Sequence, residues 1–144
     1  MLDMKHTILV GAIEYTISDE EPGVILERYI SSGSVLMGPG QVCNGRALGD
    51  TSDGFPGEYV ITTADAHGEL GGEYDLRIEA EGDCYRLAWL ARDEQRLPAV
   101  RGEVLFEGFG FPSKDGRSIV GTYWITDEVS RRIIDRNKGT QPPS

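Results

Sequence analysis

The stretch from Gly71 to Leu90, GGEYDLRIEAEGDCYRLAWL, leaves this chain little choice of fold. Gly72, Tyr74, Leu76 and Ile78 alternate with Glu73, Asp75, Arg77 and Glu79, the period of two that marks a strand with one buried face. After the turn Glu81-Gly82-Asp83, Tyr85, Leu87 and Trp89 carry the apolar face onward against Arg86 and Ala88. The stretch therefore predicts a β-hairpin with one wet side, which cannot stand alone and must close against more sheet.

Much of the chain repeats that pattern. His6 to Ile17 aligns with His67 to Ile78 at an offset of 61 residues, with Ile13, Tyr15 and Ile17 over Tyr74, Leu76 and Ile78. Gly57-Glu58-Tyr59-Val60-Ile61 matches Gly121-Thr122-Tyr123-Trp124-Ile125, and the offset drifts between 60 and 64, as small loop insertions would produce. We read two tandem repeats, 6–66 and 67–127, each of four strands that cannot bury an apolar face alone. The fold expected is all-β: an eight-stranded antiparallel barrel, which removes exposed edges, with a sandwich as its competitor. Strands are expected at 7–18, 24–32, 34–43, 57–64, 69–80, 84–92, 100–107 and 118–126. The Asn44-Gly45 pair signals a tight hairpin that would let 46–49 pair back on the third strand.

Beyond Thr126 the period changes. Asp127 can cap, Glu128 sits in a first turn, Arg131 and Arg132 come later, and Val129 and Ile133 share a face, so a short C-terminal helix is expected. The domain reading is one barrel over 1–137 with a flexible tail at 138–144.

Length and charge bound the function. A chain of 144 residues fits one domain. A net charge of -10 argues against nucleic acid as a partner, because phosphate contacts need a basic footprint. No apolar run is long enough for a membrane span, and the N-terminus lacks a small-residue cleavage site, so a soluble, cytoplasmic protein is expected. Cys43 and Cys84 are expected reduced and buried. A homodimer stays open.

The triple Gly-x-Tyr-x-Ile/Leu, at Gly57 to Ile61, Gly72 to Leu76 and Gly121 to Ile125, together with Gly82-Asp83-Cys84-Tyr85-Arg86-Leu87-Ala88-Trp89, resembles small bacterial calycin-like proteins. Calycins are the up-and-down barrels of the lipocalin and avidin type. The resemblance implies a barrel able to hold a small ligand. The chain departs from lipocalins in lacking a Gly-x-Trp signature near its start, and from avidins in lacking their several tryptophans.

No motif for a catalytic or metal site is present: no HExxH, CxxC, GxSxG, phosphate loop or EF-hand. His6 and His67 hold equivalent positions, but two histidines without a third ligand make a poor metal site, so no metal and no cofactor are expected. The aromatic set says more. Tyr15, Tyr59, Tyr74, Tyr85, Trp89 and Tyr123 all fall on inward faces, either filling the barrel or lining a pocket with hydroxyls placed to orient a ligand. Glu27, Arg28, Arg101 and Glu107 interrupt apolar stretches and are expected mostly on the outer face, since a buried charge needs a partner. Whether Arg28 or Tyr29 points inward stays open, because alignment offsets of 61 and 60 place one or the other over Trp89.

Three functions fit these observations. The first is binding of a mostly apolar small molecule inside the barrel. The second is a cofactor-free cyclase or isomerase on the same barrel, resembling the small barrel cyclases of natural-product pathways. The third is an acidic interaction protein, such as an immunity or inhibitor protein, with a merely packed interior.

Overall fold

The structure, a computed structural model, describes residues 10–64, 70–92 and 99–140. Eight strands form a closed barrel in which each pairs antiparallel with its neighbours in sequence and β8 returns to β1. They are β1 (Val10–Ile17), β2 (Val24–Ser31), β3 (Cys43–Gly49), β4 (Gly57–Ala64), β5 (Leu70–Glu81), β6 (Cys84–Ala91), β7 (Val104–Pro112) and β8 (Ser118–Ile125). Two helices accompany them, α1 (Ser32–Met37) and α2 (Asp127–Thr140). The expected up-and-down barrel is therefore the observed one, and the sandwich is excluded.

The β5–β6 hairpin follows its sequence pattern closely. Leu76 and Ile78 are almost fully buried, while Glu73, Arg77 and Glu79 face solvent. Register sets Leu76 opposite Trp89 and Ile78 opposite Leu87. Gly82 turns the corner at a φ of 60, a left-handed conformation that suits glycine. Ile13 and Tyr15 face inward too, with Ile17 packed on the same core, so the positions aligned at offset 61 share the interior.

Three local expectations need correcting. Residues 34–37 belong to helix α1 rather than to a strand, because Ser31 caps it: its Oγ accepts from the Ser34 N–H at 3.3 Å. Asn44-Gly45 is not a hairpin turn. Both residues lie within β3, with Gly45 paired to Glu27. Cys84 is exposed rather than buried, since it opens β6 on the outward parity, and Cys43 is half-buried; both are free thiols. His6 and His67 lie outside the described residues.

Helix α2 docks as its pattern predicts. Val129 is fully buried against Ala91, Leu105 and Ile125, with Ile133 packed beside them. Arg132 makes a forked pair with Glu103, at 2.5 and 2.8 Å, and a third bond to Glu128 at 2.9 Å, tying the helix to the approach to β7. Because Tyr74 and Phe106 pack against both this cluster and the barrel core, α2 buttresses the end of the barrel where β1 begins. Among the described residues, no helix is long and apolar enough to cross a membrane.

Candidate functional site

The interior divides into two ends. At the far end, where β1 finishes, the loop between β3 and β4 folds Phe55 into the barrel mouth, leaving it 5% exposed. The Tyr59 hydroxyl donates to the Phe55 carbonyl at 2.8 Å, and Phe55 meets Tyr85 edge-on at 5.7 Å between ring centres. This end is a plug.

At the near end lies a cavity of about 230 Å³, walled by Ile13, Glu27, Tyr29, Ser31, Thr63, Tyr74, Trp89, Phe106 and Tyr123. Its rings interlock. Tyr123 packs edge-on against Tyr29, Trp89 and Phe106, and Phe106 against Tyr74. Edge-to-face contact is an arrangement that aromatic rings favour, so these rings brace one another around the cavity.

Between the two ends sits a polar layer that sequence reasoning did not find. Glu27 lies inside the barrel, 4% exposed, rather than on the outer face where a charge was expected. Two neighbours make room for it. Tyr15, opposite it on β1, donates its hydroxyl to Glu27 Oε2 at 2.5 Å. Gly45, opposite it on β3, leaves space that a side chain would fill, because a Cβ there would sit 2.3 Å from Glu27 Oε1. Trp89 completes the chain by donating from Nε1 to the Tyr15 hydroxyl at 3.1 Å.

Burial drives the electrostatics. Loss of hydration pushes the Glu27 carboxyl up from 4.5 to about 7, against the opposing pull of the Tyr15 hydrogen bond, which favours the anion. The Tyr15 phenol is held well above its usual range by burial first and the facing Glu27 second. Burial likewise raises Tyr29 and Tyr123. Around neutrality, then, the phenols are neutral and the carboxyl alone among these groups divides between two protonation states. Its Oε1 is the buried side-chain oxygen that has no hydrogen-bond partner among the described residues.

The six aromatic residues expected at a site separate. Tyr74, Trp89 and Tyr123 line the cavity, Tyr15 lies in the polar layer behind Glu27, and Tyr59 and Tyr85 belong to the plugged end. Their hydroxyls are largely committed within the protein. Tyr123 donates to the Ile30 carbonyl at 3.0 Å, Tyr29 to that of Ala64 at 3.4 Å and Tyr59 to that of Phe55. The open question of parity resolves for Tyr29, which faces inward, while Arg28 points outward beside Glu14. Parity was also the signal for Glu27, which stands two residues from both Ile25 and Tyr29. Among the described residues, no group of three His, Cys, Asp or Glu side chains could hold a metal ion.

Comparison with protein families, with characterised proteins and with solved structures finds no significant match.

Proposed function

We propose that this barrel binds a compact, mostly apolar small molecule in its near-end cavity. The observation that carries the reading is the cavity itself, lined by aromatic and aliphatic side chains with one carboxyl among them. At about 230 Å³ it is smaller than the usual site for a drug-sized ligand, so the occupant is compact. The calycin-like resemblance agrees, since such barrels hold small ligands in their interiors.

Tryptophan emission tests this. Trp124→Phe leaves Trp89, in the cavity wall, as the reporter. Titration with indane should then shift or quench its emission saturably, and Ile13→Phe, which narrows the cavity, should abolish the response while the barrel stays folded. Absence of any response in the first variant would leave the interior as packing and return the argument to the acidic interaction protein.

One observation favours a second reading, the cofactor-free cyclase or isomerase. A buried carboxyl that titrates near neutrality is the kind of group that serves general acid–base chemistry, and such groups cluster at catalytic sites.

A further inference from the structure

We propose that Glu27 recognises the ligand, its carboxylic acid donating a hydrogen bond from Oε1 to a carbonyl oxygen on an otherwise apolar molecule. The inference rests on the binding reading above and names the ligand class: a small cyclic ketone or enone.

The geometry supplies the argument. In the acid form, the Tyr15 hydroxyl occupies Oε2 at 2.5 Å, and Trp89 holds Tyr15 in place at 3.1 Å, so the two oxygens are not equivalent. The oxygen that is engaged accepts, which leaves the acid proton on Oε1. There it meets no acceptor among the described residues, and the backbone position facing it is Gly45, which has no side chain to offer one. A buried donor without an acceptor is costly, and the remedy available here is an acceptor brought in by the ligand. Three other hydroxyls of the wall are already engaged, since Tyr29, Tyr123 and Thr63 donate to the carbonyls of Ala64, Ile30 and Gly72.

The protonation state fits. Among the described residues, the titratable groups that interact with the carboxyl are Tyr15 on β1, Tyr29 on its own strand and Tyr123 on β8, and none of them is a cation. With no positive charge to hold the anion, burial keeps much of the carboxyl neutral near pH 7. A neutral acid in a mostly apolar pocket is a strong donor. Donation to a conjugated carbonyl also draws electron density from the adjoining double bond.

The test compares 1-indanone with indane, two probes of nearly one shape that differ in the carbonyl. Binding is read from Trp89 emission in the Trp124→Phe background. At about pH 5.5 the ketone should bind at least ~10-fold more tightly, and the preference should fade by about pH 8.5 as the donor is lost. Glu27→Gln keeps an N–H donor that does not titrate, so it should retain the preference at both pH values, whereas Glu27→Leu should lose it. The infrared carbonyl stretch of bound 1-indanone should move to lower frequency in the wild type at low pH and return at high pH. Equal binding of both probes, or a preference that survives in Glu27→Leu, overturns the proposal while leaving the cavity reading intact. Binding of neither probe overturns both.

Discussion

The two ends of this barrel draw on the same residue types and finish differently. At the far end Tyr59 and Tyr85 close around Phe55, and the result is solid. At the near end Tyr29, Tyr74, Phe106 and Tyr123 stand edge-to-face around a space of about 230 Å³. Aromatic content does not decide between filling and lining. Among the described residues, the β3–β4 loop carries Phe55 inward at the far end, whereas helix α1, into which β2 leads at the near end, carries no buried residue. The difference also explains where polarity is left over. Phenols at both ends find backbone carbonyls, and the Glu27 layer at the boundary keeps one oxygen unpaired.

The largest effect should come from removing the plug. Phe55→Ala is expected to cost about 3–5 kcal/mol in urea denaturation, because it vacates a packed site. The near-end Phe106→Leu should cost under about 1.5 kcal/mol, since space is already present there. Equal losses would erase the distinction between the ends.

The boundary layer gives the next effect, through pH. Because the folded chain holds the Glu27 proton up to about pH 7, stability is unaffected below about pH 4.5, where both states are protonated. Between those values the unfolded chain has released the proton and the folded chain has kept it, so stability falls as pH rises, by about 1.4 kcal/mol per pH unit. The total is about 3 kcal/mol, and above pH 7 the slope from this group vanishes. Other carboxyls move in the opposite sense: Asp50, Glu103 and Asp115 are lowered by their hydrogen bonds. The measurement is therefore the difference between wild type and Glu27→Gln across this range. A difference that does not change with pH would mean that Glu27 titrates normally.

How far the fold and the site could be read from residues alone follows from the same contrast. Strands β5 and β6 were readable almost to their ends because alternation with Leu76, Ile78, Leu87 and Trp89 on one face has no other low-energy solution. Helix α1 is hidden in the sequence, since Val35, Leu36 and Met37 form an apolar run while the capping serine, Ser31, lies just upstream in a stretch that reads as strand. Asn44-Gly45 carries a turn signal, yet in the folded chain Gly45 serves to clear space for Glu27. Glu27 itself shares the parity of Ile25 and Tyr29, but a charge in that position is read as outward unless its partners are known. Those partners, Tyr15 and Gly45, become visible once strand register brings them opposite. Phe55 sits in a turn-rich stretch, where nothing local shows that the loop folds inward.

The smallest effects belong to the outer wall. Arg28→Ala and Arg77→Ala should each change stability by no more than about 0.5 kcal/mol, because their pairs with Glu14 and Glu58, at 3.5 Å each, are solvent-exposed. A larger loss from Arg28 would place its side chain inside the barrel and displace Tyr29 from the cavity wall.

On the reading proposed above, the buried carboxyl of Glu27, at the edge of the near-end cavity, is available to a ligand. The most direct test is the pH titration of the Glu27 side-chain carboxyl by ¹³C NMR, without and with 1-indanone. The expected midpoint is about 7 in the free protein, and it should rise when the ketone is bound, because a ligand that accepts from the acid form stabilises that form. A midpoint near the ordinary 4.5, or one that saturating ketone does not move, would contradict the account.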